Sequence, residues 1–390
     1  MRVSIIGLGY VGLPLGMALS DVGVSVQGVD INSDLVERLI SQISPGATLT
    51  ISSDYSQIQE SEIIIICVPT PLRANYSMDL TFLEDAVRKV TQFCKPESTI
   101  IIESTSYVGS LRNFVFPILQ QSGKNLRCGV APERIDPGNA EWNIKNTPRL
   151  VSGLDADTTQ VIFDLYSSVC ESVVKVSSPE IAEAAKLYEN TFRLVNIALS
   201  MEVATLLNEE GVDFIEVLNA ASTKSFGFMP FFPSLAIGGH CIPVDPVYLN
   251  SSFAKNPQGS TLITNALEVN RSRVAKMKLR LENEGLINRF NSIQILGLGY
   301  KANSIDTRES AAVALMNLLR QEGYEVKWHD PILGEFEGEK SSEIDFQAGT
   351  WVIGAWNRGF QDYRFSEYPG KLLTFSVLPS NVAIGATTIL

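Results

Sequence analysis

The first thirty residues place the strongest constraint on the fold. A short β-branched run, Val3–Ile6, leads into a glycine turn, and Asp30 ends the next such run. Glycines in such a turn let backbone N–H groups approach a pyrophosphate at a helix N-terminus, while the acid binds a ribose 2′-hydroxyl. Because a carboxylate repels a 2′-phosphate, the pattern predicts NAD rather than NADP. The residues expected to contact the cofactor are Gly7, Gly9, Tyr10, Val11, Gly12 and Asp30.

Strand-like and helix-like segments alternate through the N-terminal part of the chain. Amphipathic stretches separate the β-branched runs, and this alternation is typical of a parallel sheet covered by helices. The predicted strands are Val3–Ile6, Val24–Val29, Ile63–Val68, Thr99–Ile102 and Leu150–Ser152.

A long helix is predicted to follow. Ser178-Pro179-Glu180 combines a hydroxyl N-cap, proline at the first helical position and an acid in the first turn. The middle of the chain continues in helical spacing, and strand alternation restarts at Ile293, where a Gly-Leu-Gly-Tyr turn recurs. We therefore predict an α/β protein with two Rossmann-like doubly wound domains, joined by a long central helix and an all-α middle region. The predicted domains are 1–177, 178–288 and 289–390, the central one carrying a dimer surface.

Charge and cysteine content exclude several kinds of protein. The net charge of −12 comes without a basic cluster, so neither nucleic acid nor an anionic membrane is an expected partner. Residues 2–6 form a strand pattern where a leader would lie, so we expect a cytoplasmic protein. Five dispersed cysteines without CxxC pairs predict no disulfide framework and no metal site. Four of them lie in apolar surroundings typical of inert thiols, and Cys241 is the exception.

Cys241 lies in a loop rich in glycine and proline, residues 238–249. Glycines give a substrate access to the thiol, and a thiolate can add to an aldehyde carbon. Taken alone, the loop leaves both a nucleophile and an ordinary loop thiol open. Neighbouring side chains of an extended loop point in opposite directions, so we expect His240 to pack the loop rather than to activate Cys241.

Two polar residues of the predicted long helix share one face. Lys186 and Asn190 are four residues apart and could donate hydrogen bonds to an oxyanion. A solvated polar stripe is the ordinary alternative. The surrounding sequence, rich in alanine and leucine, is typical of a buried helix and weakens that alternative.

With these residues in view, the chain resembles the UDP-glucose/GDP-mannose dehydrogenase family. Seven ordered motifs carry the resemblance: Gly7–Leu15, Val68–Pro71, Glu103–Thr105, Pro132–Arg134, Ala185–Arg193, Gly238–Pro246 and Gly299–Asn303 followed by Asp306 and Arg308. The resemblance implies a double oxidation of a sugar C6 alcohol that consumes two NAD, with a homodimer formed through the central helix.

The resemblance also implies roles for individual residues. Cys241 would be the nucleophile, Lys186 and Asn190 would stabilise oxyanions, and Asp245, Glu133 and Thr105 would position and deprotonate water. Pro69, Thr70 and Thr105 would contact NAD. A C-terminal UDP-binding domain would complete the substrate site. The substrate contacts expected are Glu133, Arg134, Lys186, Asn190, Phe228, Phe232, Gly238, Lys301 and Arg308.

Several segments depart from the family pattern. Ser234-Leu235-Ala236 stands where Gly-Pro-Gly is usual, Val108 replaces a proline, and Leu267 replaces an arginine. The tail from Leu372 to Leu390 also lacks the usual ending. These changes put the shape of the pocket in doubt but leave the residues of the core chemistry in place.

The sequences Pro132–Arg134 and Asp136-Pro137-Gly138-Asn139 resemble those of the family branch that acts on UDP-N-acetylhexosamines. UDP-glucose is the alternative substrate. Two further hypotheses stay open. One is a single-oxidation dehydrogenase of the 3-hydroxyacid or 6-phosphogluconate type, and the other is a nucleotide-sugar-binding protein that has lost turnover.

Overall fold

The computed structural model describes residues 1–43, 46–135, 141–253, 255–256, 258–375 and 386–389. The chain divides into two compact units. The first contains Met1–Glu189 and Val247–Pro257, and the second contains Asn190–Pro246 and Gln258–Leu390. The domain boundaries expected at 178 and 289 stay predictions.

The first unit is built on a sheet with strand order β3-β2-β1-β4-β5-β6-β7-β8. Among the described residues every neighbouring pair is parallel except β6 and β7. The predicted parallel sheet is thus confirmed with one antiparallel pair, β6–β7, and β3, β6 and β8 were missing from the sequence prediction. The strands are β1 (Arg2–Ile6), β2 (Ser25–Val29), β3 (Leu49–Ser52), β4 (Ile63–Ile66), β5 (Thr99–Ile102), β6 (Arg127–Val130), β7 (Arg149–Gly153) and β8 (Val173–Lys175).

Helices cover both faces of this sheet. Strand β4 is four isoleucines because it is buried on both faces: Ile64 and Ile66 pack into one core, and Ile63 and Ile65 into the other. A π-helical turn, Leu111–Val115, runs directly into α4, and a short 3₁₀ helix spans Tyr55–Ile58. The α-helices are α1 (Gly12–Asp21), α2 (Ser33–Ile40), α3 (Thr81–Phe93), α4 (Phe116–Gln120) and α5 (Ala156–Ser167).

A long helix, α6 (Pro179–Glu209), follows and contributes to both units. It begins at the predicted proline, and Gly211 lies just beyond its end with a φ of 73°. The next helices are α7 (Phe214–Ser222), α8 (Asp245–Ser251) and α9 (Thr261–Asn283). Helix α9 begins after Ser260, whose hydroxyl accepts a hydrogen bond from Ile263 N at 3.4 Å. The all-helical middle region is therefore as the spacing predicts.

The second unit ends in a parallel sheet with strand order β10-β9-β13-β14-β15. Its glycine turn follows β9, and Gly297 has a φ of +81°, with a Cβ position only 2.0 Å from the carbonyl oxygen of Ala355. A side chain there would collide with backbone, so only glycine fits. Two 3₁₀ helices span Arg358–Asp362 and Phe365–Glu367. The other elements are β9 (Ile293–Leu296), α10 (Ala311–Gln321), β10 (Val326–His329), β11 (Glu335–Phe336), β12 (Glu339–Lys340), β13 (Thr350–Ile353), β14 (Lys371–Thr374) and β15 (Ala386–Thr388).

No helix in the described part of the chain is both long enough and apolar enough to span a membrane. In the same residues, no group of three or more His, Cys, Asp or Glu side chains could hold a metal ion.

Candidate active site

The first glycine turn has the geometry of a dinucleotide site. A Cβ on Gly7 would lie 2.8 Å from the carbonyl oxygen of Cys67, and one on Gly12 would lie 1.9 Å from the carbonyl oxygen of Gly7. By contrast, no atom of the described residues comes within 4 Å of a Cβ built on Gly9. The backbone is thus packed below the turn and open above it, where a pyrophosphate would approach the N-terminus of α1.

Asp30 lies beside this turn at the end of β2. Its Oδ2 accepts a hydrogen bond from Leu8 N at 2.8 Å, and its Oδ1 accepts one from Asn32 N at 2.9 Å. These bonds fix the orientation of the carboxylate and leave lone pairs for ribose hydroxyls. Tyr10 is exposed and Val11 half-buried at the open side of the turn. The residues present therefore fit NAD, and their individual contacts stay predictions.

Three loops follow β4, β5 and β6 at the carboxyl edge of the first sheet, the usual ligand-binding edge of such folds. Pro69 is exposed and Thr70 half-buried, and the carbonyl oxygen of Thr70 accepts a hydrogen bond from the Tyr248 hydroxyl at 3.2 Å. Ser104 Oγ donates to the carbonyl oxygen of Val68 at 2.7 Å and joins the first two loops. Thr105, half-buried, lines a small cleft together with Lys186.

Glu133 and Lys186 lie close together in the first unit. Lys186 Nζ is 3.9 Å from Glu133 Oε2, and both residues are buried. Glu133 also accepts a hydrogen bond from Ile135 N. Arg134 pairs with Glu189 through two hydrogen bonds of 3.1 and 2.6 Å. The expected oxyanion donor is therefore buried beside a carboxylate rather than on a solvated stripe.

Glu183 holds the loop that follows Thr105. Its carboxylate accepts hydrogen bonds from Gly109 N at 2.6 Å, Ser110 Oγ at 2.8 Å and Leu111 N at 2.9 Å. Glu183 was not among the residues predicted from the sequence. Glu183 is polar, lies one turn before Lys186 and stands in the same alanine-rich stretch, so the argument made for Lys186 would have identified it.

Asn190 and Asp245 form a buried pair in the second unit. Asn190 Nδ2 donates to Asp245 Oδ2 at 2.5 Å, and the Asp245 backbone N–H donates to the carbonyl oxygen of Cys241 at 2.8 Å. Asp245 is 2% exposed, whereas Cys241 is half-buried. Asp245 is thus held in two ways. Its side chain is bonded to Asn190, and its backbone N–H is bonded to the carbonyl oxygen of Cys241.

The residues before Cys241 pack against the loop after β9. A Cβ on Gly238 would lie 2.5 Å from the carbonyl oxygen of Glu309, and one on Gly239 would lie 2.7 Å from the ring of Tyr300. The glycines therefore have a packing role besides the substrate access that the sequence suggests. His240 Nδ1 lies 3.0 Å from Arg308 Nη2, which agrees with a loop-packing role for this histidine.

The remaining predicted substrate residues lie in the second unit. Arg308 is exposed over about half of its side chain and contacts both carboxylate oxygens of Asp306. Lys301 Nζ lies 5.5 Å from the centre of the Tyr300 ring. Phe228 and Phe232 are exposed. The substrate-binding roles of these four residues stay predictions.

The departures from the family pattern have local structural partners. The Asn270 side chain donates to the carbonyl oxygen of Ile237 at 3.1 Å and accepts from Ile237 N at 2.7 Å, while Leu235 is buried in the core. Val108 N donates to Ser252 Oγ at 2.9 Å, a bond that proline could not make. Leu267 is buried. The segment Asp136–Asn139, used to choose the sugar, lies outside the described residues.

Buried thiols contrast with Cys241. Cys94, Cys128 and Cys170 are buried, as expected, and burial raises the pKa of Cys128 to about 12. The residue Cys67 is half-buried as a whole, but its thiol lies inside the protein, and this burial raises the pKa of the thiol. Neutral thiols are poor nucleophiles, so burial of these four agrees with the expectation that they are unreactive, which stays a prediction.

Comparison with known proteins identifies the family. Profiles of the UDP-glucose/GDP-mannose dehydrogenase family match in three parts: the NAD binding domain at residues 1–170, the central domain at 180–272 and the UDP binding domain at 294–352. The chain belongs to this family. The predicted family, the α/β fold and the use of NAD are thereby confirmed.

Similar proteins match over most of the chain. Protein CapL of Staphylococcus aureus is 32% identical, over 88% of this chain and 85% of its own. UDP-N-acetyl-D-glucosamine 6-dehydrogenase of Pseudomonas aeruginosa is 32% identical, over 85% of this chain and 83% of its own. The structure of a UDP-D-ManNAc dehydrogenase from Pyrococcus horikoshii superposes with a TM-score of 0.87 at 27% identity and covers 100% of this chain and 99% of that one.

Proposed function

We propose that this dehydrogenase oxidises the C6 hydroxyl of a UDP-N-acetylhexosamine to a carboxylate. The observation that carries the proposal is the turn from Cys241 to Asp245, in which a half-buried thiol precedes a buried carboxylate held by Asn190. The similar proteins are dehydrogenases of UDP-N-acetylglucosamine and UDP-N-acetylmannosamine, which supports the choice of sugar.

Two NAD molecules, bound one after the other, would each accept one hydride from C6, the first NADH leaving before the second NAD binds. After the first step, the Cys241 thiolate adds to the aldehyde carbon and forms a thiohemiacetal. Loss of the second hydride gives a thioester, and attack by water breaks its C–S bond to release the carboxylate and restore the thiol. Lys186 and Asn190 donate hydrogen bonds to the oxygen that becomes negative on C6.

Water attack on the thioester needs a group that accepts a proton. Glu133, Thr105 and Asp245 are the residues proposed to position this water, with a carboxylate taking the proton. Glu133 is suited to the task because its carboxylate is buried and lies 3.9 Å from Lys186 Nζ, next to the group proposed to hold the C6 oxygen.

We also propose a homodimer that forms through α6. Phe192, Leu199 and Leu206 recur every seven residues along this helix, and all three are exposed. An exposed apolar stripe at this spacing fits a second copy of the same helix. Light scattering of Leu199→Glu should show a monomer, and an unchanged dimer would contradict this surface. A cytoplasmic location stays a prediction.

Product analysis tests the proposed reaction. The purified enzyme is given NAD with UDP-glucose, UDP-GlcNAc, UDP-GalNAc, UDP-ManNAc or GDP-mannose, and NADH and product mass are measured. We expect two NADH for each UDP-N-acetylhexosamine and a carboxylate product. One NADH with a carbonyl product would indicate a single-oxidation dehydrogenase. Binding without NADH would indicate a binding protein, and fastest turnover of UDP-glucose would refute the choice of sugar.

Cysteine variants test the nucleophile. Cys241→Ser should stop after the first oxidation or lose turnover, because a serine hydroxyl is far less nucleophilic than a thiolate. Cys94→Ala is the matched control, since Cys94 is a buried cysteine at the end of α3. Turnover of Cys241→Ser equal to that of the control would remove Cys241 from the mechanism.

A further inference from the structure

A buried polar cluster lies below the carboxyl edge of the first sheet. It consists of Glu103, Arg149 and Tyr166, which are 1%, 3% and 0% exposed. Arg149 Nη1 is 3.4 Å from Glu103 Oε2, and the Tyr166 hydroxyl donates a hydrogen bond to the same carboxylate. The guanidinium also lies over the Tyr166 ring, 5.2 Å from its centre. No step of the proposed mechanism uses these three residues.

Arg149 joins two of the loops that carry proposed reaction residues. Besides its contact with Glu103, its Nη1 donates to the carbonyl oxygens of Ala131 and Pro132, each at 3.3 Å. Glu103 is two residues before Thr105, and Pro132 directly precedes Glu133. One guanidinium therefore connects the loop of Thr105 with the loop of Glu133.

Sheet topology explains why Arg149 reaches both loops. Strand β7 runs antiparallel to β6, with Val130 paired to Ser152 and Gly129 to Gly153. The first residue of β7 is Arg149, so the antiparallel register places it beside the carboxyl end of β6. A parallel β7 would instead begin at the amino end of β6, away from these loops. The one antiparallel pair seen in this sheet thus delivers a cation to the edge where ligands bind.

The cluster is costly for a purely structural element. Burial is the largest single influence on Arg149 and opposes its charge. The neighbouring groups, with Glu103 foremost and Tyr166 and Glu133 after it, together outweigh burial and raise the pKa of Arg149, so the guanidinium stays charged. A buried ion pair seldom stabilises a fold more than apolar side chains of the same volume would. What the pair provides and apolar side chains cannot is a fixed position for two backbone carbonyls.

We propose that Arg149 is a positioning residue for the hydrolytic half of the reaction, an inference that rests on the proposed function. In this role it acts through Glu103 and the backbone carbonyls of Ala131 and Pro132. By holding the loops after β5 and β6 together, it keeps Thr105 and Glu133 at the spacing needed to direct water at the thioester. Without it, the two hydride transfers continue, but the acyl group stays on Cys241 longer.

The test compares variants of Arg149 in the full-length enzyme. Arg149→Met removes the charge at similar length, and Arg149→Lys keeps the charge but supplies a single ammonium instead of a fork. Val151→Ala is the matched control, because Val151 is a fully buried residue of the same strand that packs into the apolar core. Each protein is mixed with NAD and the best UDP-sugar, and NADH is followed from the first turnover while intact mass detects sugar bound to Cys241.

We expect Arg149→Met to lower kcat by about 10- to 100-fold, the effect of a small misplacement of reacting groups. Its affinity for NAD should stay within about twofold of wild type, because the glycine turn and Asp30 are unchanged. A burst of two NADH per site and a covalent acyl adduct should appear. Arg149→Lys should show the same adduct at a smaller loss of rate, and Val151→Ala should lose stability without an adduct.

Other outcomes would overturn the proposal. If the Arg149 variants turn over at the wild-type rate, or slow only as much as Val151→Ala does, Arg149 is merely structural. The absence of an adduct in a slowed Arg149→Lys would lead to the same conclusion, and this variant keeps the test decisive if Arg149→Met fails to fold. A wild-type enzyme that forms no carboxylate from any UDP-sugar would refute the proposed function and the role of Arg149 with it.

Discussion

Removal of the Glu183 carboxylate should loosen the loop after Thr105. Glu183 is 5% exposed on α6 and accepts three hydrogen bonds, two of them from the backbone N–H groups of Gly109 and Leu111. Leu111 begins the π-helical turn, so Glu183 satisfies donors that the turn itself leaves unpaired. Glu183→Ala removes the acceptor for all three.

The cost follows from the number of donors left behind. A buried donor without an acceptor costs about 1 to 3 kcal/mol, which gives about 2 to 6 kcal/mol for the two N–H groups. Water can enter through the adjoining cleft and replace part of the loss, so we expect about 3 kcal/mol. Glu183→Gln keeps one acceptor oxygen and should lose about half as much.

Hydrogen exchange measures this change at the amides concerned. A fall of about 3 kcal/mol in the free energy of local opening corresponds to roughly 100-fold faster exchange. Exchange of the peptide that contains Gly109 and Leu111 is followed by mass spectrometry in wild type, Glu183→Ala and Glu183→Gln. The control is Glu180→Ala, which removes a surface ion pair of 2.8 Å between α6 and Arg112 of the same turn. Exchange in Glu183→Ala within about threefold of this control would refute the reasoning.

Three further predictions concern pH, cofactor choice and thiol reactivity. Burial raises the pKa of Glu183 although its three hydrogen-bond donors oppose the shift. The stability that Glu183 contributes relative to Gln is therefore full below about pH 4.5 and declines as the pH rises through the raised pKa. Urea unfolding of the wild type and of Glu183→Gln at several pH values checks this. Asp30→Ser should raise kcat/KM for NADP and lower it for NAD, each by about tenfold, in steady-state assays. Iodoacetamide at pH 8 should modify Cys241 before Cys128, because burial raises the pKa of Cys128 to about 12. Peptide mass mapping shows which cysteine is modified first.

The local elements of the fold were predictable because their signals are local. Met1–Asp30 contains a strand, a glycine turn and an acid at the end of the next strand. Each of these determines the conformation or the hydrogen bonding of the backbone next to it. The start of α6 was likewise encoded by adjacent residues. Strand β7 shows the limit: its residues indicate a strand, but its direction depends on a partner that the sequence does not name.

The site was predictable only in part. The period of the α-helix predicts that Lys186 and Asn190 share one face. The resemblance to the family supplies the catalytic roles expected of them. That Asn190 bonds to Asp245 depends on how the chain folds back, because 55 residues separate them. The partners of Val108 and of the Ser234–Ala236 segment are also distant in sequence. The sequence therefore shows that these residues depart from the family pattern, but it does not show which contacts accommodate them.

Short stretches of sequence are enough to specify the dinucleotide turn and the side chains available for the chemistry. These properties depend on backbone geometry and residue type over short stretches. The folded chain, in contrast, establishes which charges are buried together, such as Glu103 with Arg149, and which loops Glu183 and Arg149 hold. The reason is physical: burial and pairing arise from contacts between distant segments, and a buried charge has its effect only where the whole fold excludes water.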